Sequence, residues 1–492
     1  METHALSARL RAFWGRLSAP QRRLCALAAI MLLAVLARAP FFGWPLIPDE
    51  GVYAYTAHWW RQGHTLYSSE LWMDRPQAIF WAYRLGMALL GGSTPALRFW
   101  GALWVAATAP LLYLIGRRHL SERAALLGAL VYVLYSAAAQ FEGFTANAEH
   151  FMLLPASAAV YLVQRRRPGW AGLLLGLAVM LKPSAVGTGL LALALLWRDG
   201  APRRAYAALL GAAALAPLGS LAHGLYTVGW ADYSFAVFGS RLYIDRAWPL
   251  GLALGQLLLV SPALAPLLAA GLLGQRYAPR QGVRLVTLWA LTALPGMALG
   301  GGWYRHYFLQ LVPPLALLAG ASLDGLHVVA GAGPRLAGRR RAAWALLAAL
   351  LLTTGQYLLV SPQRGAERLF KKPLVTQAGA VAAYLQAHTD PDDAIYVAYE
   401  GAHICHLAGR RSASPYLFEL HVSHLPGVYE ELLALLRDRR PAYVVTTLWR
   451  GPLSDPDERL TLTLNQNYDL VETIDLVEIY QRRTRDDPLG HP

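Results

Sequence analysis

Cysteine is almost missing from this chain: Cys25 and Cys405 are the only two, and they lie far apart in the sequence. That excludes a disulfide framework and a Cys-x-x-Cys metal site. Charge is scarce as well, at 15% of residues, and acidic residues are the scarcer kind, 30 Asp and Glu against 44 Lys and Arg. No G-x-G-x-x-G or P-loop is available to cradle a nucleotide, and no H-E-x-x-H spacing to hold zinc. Glycines in runs such as GLLLGL suit close helix contacts instead. What remains is apolar. Hydrophobic residues make up 55% of the chain, with 16 Trp and 24 Tyr, and the mean hydropathy is +0.33, the composition of a polytopic membrane protein.

The net charge of +14 does not point to nucleic acid, because the arginines form short clusters between apolar runs: Arg22-Arg23, Arg117-Arg118, Arg165 to Arg167, Arg203-Arg204 and Arg339 to Arg341. Cytoplasmic loops have this character under the positive-inside rule. The N-terminus, with Arg9, Arg11 and Arg16 ahead of an apolar run from Leu24 to Leu36, resembles a signal peptide. Pro40 follows Ala37-Arg38-Ala39 and is a poor context for cleavage, so the run is expected to stay as a first span starting in the cytoplasm. With about 20 residues per span, the clusters order the crossings: 22–40, 96–116, 123–140, a fourth ending at 165–167, 169–182, 184–197, 205–226, 249–273, 283–300, a tenth to 325, and 342–360. Residues 78–90 are apolar but short and contain Arg84, so they read as a helix at the interface, as does the aromatic stretch 230–248. The expected fold class is therefore a polytopic α-helical membrane protein with about eleven spans. It divides into a basic cytoplasmic N-terminus (1–22), a membrane domain (23–362) whose first outer loop is 41–95, and an outer C-terminal α/β domain (363–492). In that last part, helical patterns alternate with β-rich runs such as AIYVAYEG and AYVVTTLW.

The residues able to do chemistry collect in the outer gaps: Asp49, Glu50, Asp74, Arg75, Glu142, Asn147, Glu149, His150, Lys182, Arg305 and His306. Carboxylates and cations at one membrane surface suit a reaction in which a phosphate leaves and a nucleophile is deprotonated. Each has a plainer reading beside it. Asp49 or Glu50 can cap the helix that begins near Gly51. Asp74 and Arg75 can form a local surface ion pair, Lys182 can snorkel to the headgroups, and Glu142 reads as a solvated loop charge. A transporter or lipid-linked-sugar flippase also needs polar groups in a helical bundle, but should place them at mid-span and repeat its halves. A non-catalytic assembly protein with the outer domain as binding module is a third class.

The strings IPDEGVYAYTAHWWRQGHTLY, LWMDRPQAIFW, FTANAEHFMLLP, MLKPSA and GGWYRHYFLQLVPPLALLAG occur in that order between residues 47 and 320. Together they resemble bacterial GT-C glycosyltransferases of the family-39 branch, related to protein O-mannosyltransferases and the lipid A aminoarabinose transferase. The resemblance implies an inverting transferase of the bacterial inner membrane. Such an enzyme takes a sugar from a polyprenyl-phosphate donor on the periplasmic side and passes it to a lipid, glycan or protein acceptor. Asp49, with Glu50 beside it, is then the expected general base, and Glu149 the acidic residue of the second outer loop, with Asn147 as its hydrogen-bonding neighbour. Asp74-Arg75-Pro76 stands for the family's acidic, basic-Pro-Pro element, with Arg75 where Lys is common and Gln77 in place of the second Pro. Lys182, Arg305 and His306 are expected to meet the lipid phosphate. The resemblance admits a divalent metal, which some relatives bind, although no ligand spacing marks one here.

Overall fold

The computed structural model describes residues 15–244, 250–328, 344–349, 351–398, 400–447, 455 and 457–483. Arg9, Arg11 and the Arg339 to Arg341 cluster lie outside them, as does part of the eleventh expected span. Among the described residues, the longer helices before residue 330 are α1 (Ala19–Leu36), α2 (Pro48–Arg61), α3 (Ala78–Leu90), α4 (Thr94–Gly116), α5 (Glu122–Tyr135), α6 (Ala148–Gln164), α7 (Pro168–Leu181), α8 (Val186–Arg198), α9 (Arg203–Thr227), α10 (Leu250–Gly274), α11 (Arg280–Ala298) and α12 (Val312–Val328). Shorter turns link them. Among the described residues, five stretches are long and apolar enough to cross a bilayer: Ala19–Phe41, Thr94–Gly116, Arg203–Thr227, Gly251–Gly274 and Arg305–Gly325. The others are shorter or more polar, and the chain turns between α7 and α8 at Lys182-Pro183, where Lys182 is extended.

Small residues set the spacing of the bundle. A Cβ on Gly320 of α12 would lie 2.4 Å from the backbone nitrogen of Gly128 on α5, so the two helices touch through their backbones. The short helix α3 buries Ile79, Phe80, Ala82, Tyr83 and Gly86 and leaves Trp81, Leu85 and Leu89 exposed. Its Arg84 stacks on Trp60 and Trp81 rather than facing apolar surface alone.

The C-terminal part is α/β. Helices α13 (Pro362–Phe370) and α14 (Ala378–His388) precede β1 (Ala394–Val397), α15 (Ala402–Ala408), β2 (Arg411–Ser412), α16 (Glu419–His424), α17 (Val428–Arg437), β3 (Tyr443–Thr447), α18 (Arg459–Asn467), β4 (Tyr468–Ile474) and β5 (Val477–Arg482). The sheet order is β2-β1-β3-β5-β4. β1 pairs in parallel with β2 and β3, as helical crossovers require, and β5 runs antiparallel to β3 and β4. YDLVETIDLVEIYQRR is a hairpin that turns at Asp475, whose φ of 55° suits a tight turn. This domain sits directly on α2. A Cβ added to Gly51 would lie 2.2 Å from the Cβ of His403 on α15, and the Ser412 N–H donates to Tyr55 Oη at 2.8 Å.

Candidate functional site

Pro48 opens α2 at its first position, where a missing N–H costs nothing, and this places Asp49 and Glu50 in the first turn. The two neighbours then face different ways. Glu50 is fully buried against Arg98 of α4, which donates to it through Nη2 at 2.8 Å and Nε at 3.1 Å. The same carboxylate accepts the Ala146 N–H at 2.7 Å and the Ile47 N–H at 3.2 Å. Arg98 also donates to the carbonyls of Phe41, Trp44 and Pro45. Glu50 thus caps α2 and pins two loops together, with every described contact internal.

Asp49 is more open, 21% exposed at its side chain, and accepts from Arg75 Nη2 at 3.1 Å. Arg75 Nη1 donates to Asp74 Oδ1, also at 3.1 Å, and its guanidinium lies over the rings of Tyr53 (5.6 Å) and Phe418 (4.5 Å). Asp74 is bound further by Arg241 Nη2 at 2.9 Å and faced by His421 Nε2 at 3.6 Å. Burial pushes the Asp74 carboxyl up, but Arg241, Arg75 and His421 together carry it well below the usual carboxylate range. Asp74 and Arg75 are therefore no exposed surface pair.

A second group lies alongside. Glu149, buried in the first turn of α6, binds Lys182, and Lys182 sits 4.1 Å from the Tyr307 ring centroid. His306 Nε2 is 3.9 Å from Glu149 Oε1, while His306 Nδ1 is 3.0 Å from Glu142 Oε2. Arg305 Nη2 holds the other Glu142 oxygen at 2.5 Å. Burial would raise the Glu142 carboxyl, yet Arg305 and His306 outweigh it and hold it down at about 2. Read from the sequence as a solvated loop charge, Glu142 is instead 13% exposed and paired twice. Asp49 favours the charged form of Lys182 and Arg75 opposes it, beside the larger effects of burial and Glu149. Asn147 caps α6 through Ala148, and its Nδ2 and Glu149 Oε2 have no hydrogen-bond partner among the described residues. His150 lies deeper, its Nε2 against the Gly143 carbonyl at 2.9 Å.

Sequence reading missed four members of this arrangement. Arg241 belongs to a stretch read as interfacial, and His421 to a domain whose role was open. Arg98 lies within a span, where a buried arginine was itself the available signal. Tyr307 had no signal beyond its place beside Arg305 and His306. Among the described residues no three His, Cys, Asp or Glu side chains are grouped to hold a metal ion. The carboxylates face cations instead, which does not suit a divalent ion.

A family model described as dolichyl-phosphate-mannose-protein mannosyltransferase matches residues 74–222. Among solved structures, ArnT from Cupriavidus metallidurans bound to undecaprenyl phosphate superposes with a TM-score of 0.64 at 16% identity, covering 94% of this chain and 98% of that one. The archaeal oligosaccharyltransferase AglB from Archaeoglobus fulgidus, in complex with an inhibitory peptide and a dolichol-phosphate, follows at 0.51 and 13% identity, covering 95% and 75%. The chain has the GT-C fold. The ArnT match extends over both parts, so the GT-C likeness takes in the C-terminal domain as well as the bundle. No curated protein sequence matches the chain.

Proposed function

We propose that this GT-C protein is an inverting glycosyltransferase that moves a sugar from a polyprenyl-phosphate donor to an acceptor on the outer face of the bacterial inner membrane. About eleven spans carry it, with the C-terminal domain outside. The observation that carries the reading is the separation of Asp49 from Glu50: one carboxylate is accessible beside a guanidinium, the other sealed against Arg98. In the proposed step an acceptor hydroxyl gives its proton to Asp49, and its oxygen bonds to the anomeric carbon. The bond from that carbon to the phosphate oxygen breaks, and its electron pair leaves with polyprenyl phosphate. Arg75, Lys182, Arg305 and His306 offset the charge on the departing phosphate, Arg75 bidentately where Lys would act as a point charge. Glu149 orients Lys182, and its unpartnered oxygen, with Asn147 Nδ2, accepts and donates hydrogen bonds to hydroxyls of the bound sugar.

To test this scheme, purified protein in liposomes is given radiolabelled polyprenyl-phosphate sugars with a membrane and periplasm extract. Label is expected to appear in a lipid, glycan or protein product with the opposite anomeric configuration. Retained configuration would contradict the single displacement, and transfer from no donor would contradict the function.

A further inference from the structure

We infer that the C-terminal domain completes the site: Phe418 and His421, at the start of α16, are positioning residues that hold the Asp74-Arg75 pair in place for Asp49. This rests on the function proposed above. The contacts cross from one part of the molecule to the other. Arg75 contacts the Tyr53 ring of the membrane part and the Phe418 ring of the C-terminal domain. Asp74 is approached by His421 from that domain and by Arg241 from the short helix Arg241–Ile244 that follows α9.

The burial of His421 argues against a packing role alone. Its side chain is 2% exposed, wedged edge-on between Trp72 (4.8 Å) and Phe418 (5.1 Å). Its Nδ1 has no partner among the described residues. A leucine would fill the same space without leaving a polar atom unpaired. What leucine could not supply is a nitrogen facing Asp74.

The reaction explains why Arg75 needs a second set of anchors. When Asp49 takes the acceptor proton it becomes neutral, and its pull on Arg75 weakens. A guanidinium held only by Asp49 would then be free to swing as charge grows on the departing phosphate. Asp74, itself fixed from the C-terminal domain, and the Phe418 ring keep it aimed. Misplacement by about 1 Å at this stage costs about a hundredfold in rate.

The test uses full-length protein in liposomes with His421→Ala, His421→Gln, Phe418→Ala and Phe418→Tyr. Turnover, acceptor KM, affinity for undecaprenyl phosphate and thermal unfolding are measured on each. Both alanine variants are expected to lose about ten- to a hundredfold in kcat, with acceptor KM nearly unchanged. Phe418→Ala should also weaken undecaprenyl phosphate binding, while Gln and Tyr restore most of the loss. Folded alanine variants with parental kcat and lipid affinity would overturn the inference. So would losses that follow the unfolded fraction and are not recovered by Gln or Tyr. If the parent binds undecaprenyl phosphate but transfers no sugar, the function fails on its own, and the lipid affinities alone decide the positioning role. A parent that neither transfers nor binds removes both.

Discussion

At the scale of single residues, adjacent carboxylates are given different work by one helical turn. Glu50 is sealed with Arg98, so removing it leaves a guanidinium buried without its counter-charge, a loss of about 3–5 kcal/mol. Glu50→Ala is expected to lower the unfolding temperature sharply in detergent. A Glu50→Met, Arg98→Met pair should recover only part of it, because the carbonyls of Phe41, Trp44 and Pro45 lose their donor. Equal stability of Glu50→Ala and parent would refute this. Glu142 makes a pH-dependent contribution. Its carboxyl is held at about 2 against an ordinary 4.5, so the stabilisation, on the order of 3 kcal/mol, is complete above pH 4.5 and fades as pH falls toward 2. The gap in melting temperature between parent and Glu142→Gln should be constant from pH 7 to 5 and shrink below that. A gap that widens on acidification would reverse the assignment.

At the scale of elements, α2, which carries Asp49, packs directly against α15 of the C-terminal domain. Gly51 lies against His403 with no room for a side chain. Gly51→Val is expected to cost more than the 1–3 kcal/mol or so typical of an overpacked core, and to lower transfer by tilting the turn that carries Asp49. Limited proteolysis should find α15 more accessible; unchanged cleavage and activity would count against a rigid junction. These elements also show what a sequence can reveal. The turn at Lys182-Pro183, the short helix α3 and the β-α alternation after residue 390 are local, written in proline, periodicity and β-branched runs. Helix α5 is shorter than the expected 123–140, ending at Tyr135 before a tight turn at Ala139–Phe141. That loop is fixed by distant groups, Arg38 on Gly143 and Ser136 and Glu50 on Ala146, which no local pattern announces.

At the scale of the whole molecule, the outer gaps of the sequence do converge. Asp49, Asp74 and Arg75 meet in one group of ion pairs, and Glu149, Lys182, Arg305 and His306 meet in a second that includes Glu142. Arg241 and His421 were not legible, because their partnership with Asp74 exists only after the segment past α9 and the C-terminal domain close over the first loop. The proposed orientation is open to labelling. In a background with Cys25 and Cys405 replaced by Ser, a Glu70→Cys variant should react with an impermeant thiol reagent on intact cells. An Asp199→Cys variant should react only after the membrane is breached; the reverse pattern would invert the topology. The account stands most directly on Asp49. With a polyprenyl-phosphate sugar that the parent uses, transfer by Asp49→Asn should be abolished while donor binding and thermal stability stay near parental values. Transfer at the parental rate by a folded Asp49→Asn protein would contradict the central claim.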